Sequence, residues 1–299
     1  MILFIVNDYF PSGGFILNRI KSISFIGGDR RQIYMREFFD ALGYETYSFA
    51  ANESLKINEA KISDSDAIIL PLPVEDREGN LSSNINSKYK IRDISKMISE
   101  NSVVFGGMIN EKTVQLFSEK NIAVFDYFNR EETAIRNVVP TVQGILKTIF
   151  NNIDFTLLSS RCAVFGYGRV GKTTADTLAS LGADVTVFAR KESDLALAEA
   201  KHLNACRISE RLNNINAFDI IINTVPAMMI DNNVLINVNR KALIIDVASA
   251  PYGVDFAYAE NLGVRALLCP SLPGKTAPVS AGKILAQGIL NIMKEEGYA

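Results

Sequence analysis

The run Gly166-Tyr167-Gly168-Arg169-Val170-Gly171-Lys172-Thr173 satisfies two phosphate-binding patterns at once. Read as G-x-G-x-x-G it is a dinucleotide-binding fingerprint; read as G-x-x-x-x-G-K-T it is a P-loop. The first cradles the pyrophosphate of a redox cofactor on a helix N-terminus. The second wraps the phosphates of a nucleoside triphosphate with backbone N–H groups and a lysine. The surrounding CAVFGYGRVGKTTADTLASLGADVTVFAR provides strand, turn and helix for either use. A second feature leans towards triphosphate chemistry: the apolar run ALIID ends in Asp246, as a Mg²⁺-holding Walker B strand does.

The residues further on decide between them. In a dinucleotide unit the second strand ends about twenty residues beyond the glycines, where its last residue meets the adenosine ribose. Here DVTVF leads to Ala189-Arg190-Lys191, with no acid at that point. An Asp or Glu would bind the two ribose hydroxyls of NAD, whereas a small residue followed by Arg and Lys suits the 2′-phosphate of NADP. A charge-assisted hydrogen bond contributes roughly 1.5–3 kcal/mol, so one Arg190 contact favours NADP by about ten- to a hundredfold. INTVP, with small Thr224, then Val225 and strand-ending Pro226, is the kind of strand end that lies under a nicotinamide. The expected cofactor is NADP, held by Gly166, Tyr167, Gly168, Arg169, Val170, Gly171, Ala189, Arg190, Lys191, Thr224, Val225 and Pro226. Lys172 is expected to be an early helix residue facing solvent.

Anion-binding groups recur in three other segments. SLPGKTAPVSAG (271–282) is expected to break the last strand at Pro273-Gly274 and to lead Lys275, Thr276 and Ser280 into the final helix. A helix N-terminus with a lysine and hydroxyls nearby suits a carboxylate; a plain strand-to-helix turn with a Ser or Thr cap is the alternative. Lys275 is the candidate catalytic group, as carboxylate binder and proton relay. In GGDRRQ (27–32) two glycines end a strand and Asp29 can cap a helix. Arg30 and Arg31 oppose the helix dipole there unless an anion or an acid meets them, so they either bind substrate or are solvated. In PTVQG (140–144), Thr141 and Gln143 either face a cleft or pack a hinge. Arg130, Glu131 and Glu132 read as a solvated charge cluster, and His202 as a surface histidine.

These residues need a scaffold, and the hydrophobic pattern supplies one. Strand candidates fall at 23–28, 46–50, 67–73, 103–107 and 123–128, then at 162–168, 185–190, 204–208, 220–226, 243–249 and 265–271. Helical patterns separate most of them, the signature of α/β parallel sheets. The expected architecture is two doubly wound parallel-sheet domains, the second a Rossmann NAD(P)-binding domain, linked by inter-domain helices. The expected boundaries are an N-terminal extension (1–20), a flavodoxin-like or Rossmann-like domain (21–136), an inter-domain helix and linker (137–157), the NADP-binding domain (158–277) and a C-terminal helix (278–299) packing back towards the first domain. The linking helix is expected to carry Pro140 in its first turn, with Val142, Ile145, Leu146, Ile149 and Phe150 on one face. The last helix presents Ala281, Leu285, Ile289 and Ile292. A cleft between the domains is a common place for cofactor and substrate.

Composition narrows the classes. The 299 residues carry a formal net charge of −2, which offers no general attraction to nucleic acid or anionic lipid. One histidine and three cysteines without C-x-x-C spacing give no zinc pattern, and no metal is expected. Cys162, Cys206 and Cys269 are expected to be reduced, buried and structural, which suits the cytosol. The opening MILFIVNDYF is interrupted by Asp8 and Pro11 and is too short to span a bilayer; it reads as an extension.

SISFIGGDRRQIYMREFFDALG, NVVPTVQGIL, VFGYGRVGKTTADTLASLGADVTVFAR, INTVPAMMI, IIDVASAPYGVDFAYAE and LCPSLPGKTAPVSAGKILA together resemble the dipicolinate synthase A-subunit family, in the same order. The resemblance runs from about Lys21 to Lys294, and GGDRRQ, PTVQG and LPGKTAPVSAG are its most specific parts. It implies a protein of spore-forming bacteria, in the mother-cell cytoplasm, paired with a flavoprotein-like B subunit. The pair would oxidise dihydrodipicolinate, a small dicarboxylate, to pyridine-2,6-dicarboxylate with NADP as acceptor. Doubly wound dehydrogenases often dimerise, so a homodimer or higher oligomer is a further expectation. The bare residues equally permit another NADP-linked dehydrogenase of a small carboxylate, or a non-catalytic dinucleotide-sensing subunit. The D-2-hydroxyacid dehydrogenases, the nearest fold analogue, use a histidine late in the cofactor domain, and none follows His202 here.

Overall fold

The computed structural model describes residues 19–50, 56–76, 78–83 and 89–299. The extension expected over 1–20 lies almost wholly outside them. The first half alternates β1 (Ser22–Ile26), α1 (Arg30–Ala41), β2 (Glu45–Phe49), α2 (Glu59–Ser63), β3 (Ala67–Ile69), α3 (Ile91–Met97), β4 (Val103–Gly106), α4 (Glu111–Ser118) and β5 (Ala123–Asp126). Its strands pair in parallel in the order β2-β1-β3-β4-β5. After α5 (Glu131–Phe150) come β6 (Arg161–Phe165), α6 (Arg169–Ser180), β7 (Asp184–Ala189), α7 (Glu192–Ala200), β8 (Asn204–Arg207), β9 (Ile220–Asn223), α8 (Asn232–Leu235), β10 (Leu243–Asp246), α9 (Phe256–Asn261) and β11 (Arg265–Leu268). This sheet, also parallel, runs β11-β10-β9-β6-β7-β8, the strand order of a Rossmann domain. The chain closes with α10 (Leu272–Thr276) and α11 (Pro278–Glu295).

All eleven expected strands are present, five and then six. Each stops one to four residues before its expected end. The apolar runs outlast hydrogen-bonded pairing because the chain stays buried as it turns over the sheet edge. Both faces of both sheets are covered, so the strands read as unbroken apolar runs. In the first sheet, Ile23 and Phe25 face α1 and α11, while Ile26 and Ile68 face the core around Ile62, Ile94 and Phe117.

Two helices cross between the halves. α5 follows the first sheet in sequence, yet its Ile145 and Ile149 are buried in the core of the second. α11 follows the second sheet, yet Leu285, Ala286, Ile289, Ile292 and Met293 complete the core of the first. Small residues permit the close approach. A Cβ on Gly282 would lie 2.7 Å from the Arg31 carbonyl oxygen, and one on Gly288 would lie 2.5 Å from Thr133 Oγ1.

Two local expectations are corrected. α5 begins at Glu131, nine residues before Pro140, which therefore lies inside the helix. Glu131 and Glu132 complement the helix dipole in its first turn, a stronger start signal than the proline. The charge cluster there is structural as well as solvated: Arg130 joins Glu295 of α11 through two hydrogen bonds and also meets Glu132. The strand β11 does not break at Pro273-Gly274 either. It ends at Leu268, Ser271 takes the left-handed conformation (φ 58°), and Pro273 and Gly274 lie within α10. A proline is at home in the first turn of a helix, where it has no partner to lose.

Candidate functional site: a dinucleotide cradle beside an interdomain seam

The glycine turn lies between β6 and α6, at the point where the strand order reverses around β6 and β9. Each glycine has its own reason. Gly166 has φ +93°, and a Cβ there would lie 2.6 Å from Thr224 Oγ1. Gly171 packs the helix onto the turn so closely that a Cβ would lie 2.1 Å from the Gly166 carbonyl oxygen. Gly168 is the exception: nothing stands within 4 Å of where its Cβ would be. As the cap of α6 it supplies no side-chain bond. The open side of the turn and the uncapped N–H groups of α6 fit a pyrophosphate. Thr224 closes the turn from the next strand, donating its hydroxyl to the Phe165 carbonyl at 2.8 Å. Val225 and Pro226 follow it at the sheet edge, Pro226 exposed.

Tyr167 is buried with its hydroxyl unpartnered, while Arg169 and Val170 open the helix. Arg169 pairs with Glu131 at the start of α5, tying the cofactor turn to the linking helix. Lys172 does not face solvent as expected. It is half-buried, 3.5 Å from Asp194 and over the Tyr167 ring. An ammonium drawn to α7 is not poised over the glycine turn, as a P-loop lysine must be.

Asp246 is equally unlike a metal ligand. It is fully buried, and its carboxylate accepts from Asn223 Nδ2 (2.9 Å), Ala248 N–H (3.0 Å) and Gly253 N–H (2.7 Å). These three bonds hold the end of β9 and the turn after β10 together.

Strand β7 ends at Ala189, one residue short of its expected end, and Arg190 and Lys191 are both exposed, without an ion pair among the described residues. Sequence reasoning missed one neighbour, Arg207. The register places it directly beside Ala189 on β8, and it bonds Glu192 at 3.0 Å. The signal available was the basic residue ending the third strand of the unit, which only the pairing of β7 with β8 makes relevant.

The three substrate candidates converge on one seam, though not every residue does. A Cβ on Gly274 would lie 2.7 Å from Asp29 Oδ2 and 3.0 Å from Arg31 Nε, so α10 rests on the start of α1. A Cβ on Gly144 would lie 2.7 Å from Leu272 Cβ and 2.9 Å from Thr276 Oγ1, so α10 rests on α5 as well. Within this seam Arg31 is buried and internally satisfied. It bonds Asp29 in a fork and donates to the Leu72 carbonyl at 2.7 Å. Arg30, by contrast, is exposed and unpaired among the described residues. Lys275 is exposed, and its charge favours the thiolate of Cys269, whose thiol is nonetheless pushed up by burial. Thr141 and Thr276 spend their hydroxyls on the carbonyls of Asn137 and Leu272. Gln143 instead lines a shallow groove between α5 and α6 with Val139, Leu146 and Thr173. Ser280 is exposed in the first turn of α11, whose cap residue Ala277 supplies no side-chain bond.

His202 has φ +60° on the turn after α7, before β8 begins, and so lies at the sheet edge opposite the glycines. The cysteines are all free thiols, but only Cys162 is buried; Cys206 and Cys269 are half-exposed because their strands end at the sheet edge.

Comparison with known proteins matches this division of the chain. The family model for the N-terminal domain of the dipicolinate synthase A-subunit matches residues 22–128. The D-isomer specific 2-hydroxyacid dehydrogenase NAD binding domain matches residues 133–262. The dipicolinate synthase A-subunit of Bacillus subtilis (strain 168) is 34% identical over 284 residues, which cover 91% of this chain and 96% of that one. The chain belongs to the dipicolinate synthase A-subunit family. Two solved structures of the family superpose over its whole fold. The dipicolinate synthase A-subunit of Bacillus halodurans has a TM-score of 0.82 at 31% identity, covering 91% of this chain and 97% of that one. Its Bacillus subtilis counterpart has a TM-score of 0.79 at 34% identity, covering 92% and 96%. Membership makes this a dehydrogenase-type subunit, and its second domain is a nicotinamide-dinucleotide-binding domain. The second domain therefore takes a dinucleotide rather than a triphosphate. Among the described residues no helix is long and apolar enough to cross a membrane.

Proposed function

We propose that this chain is the NADP-dependent subunit of a dipicolinate synthase, oxidising dihydrodipicolinate to dipicolinate together with a flavoprotein-like B subunit in the mother-cell cytoplasm. The observation that carries the proposal is the union of a dinucleotide cradle lacking an acid at Ala189-Arg190-Lys191 with a second, anion-suited seam in the same chain. Bound NADP⁺ supplies the hydride acceptor. Gly166, Gly168 and Gly171 hold its pyrophosphate at the start of α6, Arg190 and Lys191 its 2′-phosphate, and Thr224 to Pro226 the nicotinamide end.

The substrate ring carries two carboxylates and loses a hydride and a proton to become an aromatic pyridine, so the chain's task is chiefly to grip and orient. Arg30, exposed and unpaired, is the better of the two arginines for one carboxylate. Arg31 positions it by fixing the turn and α1, a reading that revises its expected direct contact. Lys275, exposed near the end of α10, binds the other carboxylate and relays the released proton to solvent. Ser280, and Thr276 and Thr141 behind it, support the same end.

The test is turnover of dihydrodipicolinate by the chain reconstituted with a B subunit. Lys275→Ala should lower kcat/KM by about a hundredfold, the scale of a lost charged contact, with NADP⁺ binding intact. Unchanged turnover would remove Lys275 from the site, and turnover equally rapid with NAD⁺ would remove the NADP assignment. A D-2-hydroxyacid dehydrogenase reading has a matching cofactor domain over residues 133–262, but no histidine follows His202, which lies at the end of the sheet opposite the glycines.

A further inference from the structure

We propose that Arg207, on the strand beyond the one that ends under the adenosine ribose, is the third cation of the 2′-phosphate subsite, and that Glu192 is the internal anion that holds it in place until the phosphate arrives. The inference rests on the NADP reading and extends it to two residues outside the glycine fingerprint and outside the strand end that follows it.

Neighbouring parallel strands lie about 4.8 Å apart, and the register sets Arg207 level with Ala189. A guanidinium starting from that backbone position reaches the same space as Arg190 and Lys191, which leave the end of β7. Three cations therefore face one another across the ends of two strands, with Glu192 alone bonded among them. The other acids nearby are engaged elsewhere: Asp194 with Lys172, and Glu210 with the Cys206 thiol. Arg207 and Glu192 are 58% and 68% exposed, and an ion pair that wet contributes little to stability. Its effect is on conformation. Pairing keeps a long, flexible side chain folded over the strand ends, and a phosphate, with more charge and more acceptor oxygens than a carboxylate, displaces it. Glu192 thus also sets a threshold, because a dinucleotide without a 2′-phosphate offers nothing to exchange for it.

The experiment is calorimetric titration of the full chain with 2′,5′-ADP and with 5′-AMP, which differ only in the 2′-phosphate, repeated with NADP⁺ and NAD⁺. Arg207→Ala should weaken 2′,5′-ADP about ten- to a hundredfold, the effect of one lost charge-assisted bond, and leave 5′-AMP within about threefold. Arg207→Lys should recover part of the loss, since the charge returns without the planar fork. Glu192→Gln should tighten 2′,5′-ADP and leave 5′-AMP unchanged. Equal weakening of both nucleotides by Arg207→Ala would make Arg207 a support of the adenine, and no weakening of either would remove it from the site; both overturn the proposal while leaving the NADP reading standing. Unmutated chain that binds 2′,5′-ADP no better than 5′-AMP would sink the NADP reading itself, and this inference with it.

Discussion

Lys172 of α6 and Asp194 of α7 meet at 3.5 Å beneath the glycine turn, and the same ammonium lies 5.4 Å over the Tyr167 ring. The lysine that makes the sequence look like a P-loop thus fastens two helices of a dinucleotide domain together. Replacing it with Met should leave NADP⁺ affinity within about threefold, and the unmutated chain should give no saturable heat with Mg-ATP. The pair is 38% and 25% exposed on its two sides, so its loss should cost at most about 1 kcal/mol of stability. Saturable Mg-ATP binding that disappears with Lys172 would reverse the assignment.

The glycines of the turn should separate folding from binding. Gly168→Ala meets open space at an ordinary φ, so it should cost no more than about 1 kcal/mol of stability, the penalty of Ala as a helix cap. It nonetheless narrows the path of the pyrophosphate and should weaken NADP⁺ at least tenfold. Gly171→Ala forces a Cβ against the Gly166 carbonyl and should destabilise the cofactor domain by about 1–3 kcal/mol. Urea denaturation beside calorimetry distinguishes the two; equal loss of stability would show that Gly168 is merely a packing residue.

Arg30 and Arg31 are adjacent in sequence and opposite in circumstance. Arg31→Ala strands the Asp29 carboxylate and the Leu72 carbonyl in a buried seam, and should lower stability by about 1–3 kcal/mol. Arg30→Ala removes an exposed, unpaired cation and should be within about 0.5 kcal/mol of the parent. If Arg30 holds a substrate carboxylate, its loss should raise KM for dihydrodipicolinate while the melting temperature stays put. Destabilisation by Arg30→Ala would contradict this division.

Cys162 provides a pH test. Burial is the main cause that pushes its thiol from 9.0 up to about 11, against a hydrogen bond with Ser160 that acts the other way. In the unfolded chain the thiol ionises near 9, while in the folded chain it keeps its proton to higher pH. The unfolded state therefore binds fewer protons across that window, and stability falls as pH rises from about 9 to about 11. Cys162→Ser should flatten that alkaline limb of the denaturation profile. A limb of undiminished slope in the variant would assign the effect to other groups.

The periodic part of the molecule was legible in the sequence because it depends on local rules. Strand, turn and helix around Gly166 follow from apolar runs, glycines and spacing, and so does the strand end at Ala189. What stayed hidden depends on neighbours distant in sequence. Lys172 looks solvent-facing until α7 is placed beside α6, and Asp246 looks like a metal ligand until Asn223 of β9 and the backbone of the turn after β10 bond it. Arg31 reads as a free anion binder until Leu72, forty-one residues away, takes its hydrogen bond. Pro140 misled for a different reason: the helix that contains it is held by packing on two domains, and that support outweighs one missing hydrogen bond.

The exchange of helices between the two sheets has a consequence for synthesis. A chain leaving the ribosome usually folds its first domain first. Here the sheet made first lacks one wall of its core, because Leu285, Ile289 and Met293 emerge only after the whole of the second sheet. The sheet made second has its covering helix α5 already waiting, and it can close as soon as β11 and α10 are out. A nascent chain halted after residue 277 should therefore protect its later half from protease while its earlier half is digested. Maturation then runs backwards along the polypeptide, with the final eighteen-residue helix acting as the quality check on everything translated before it.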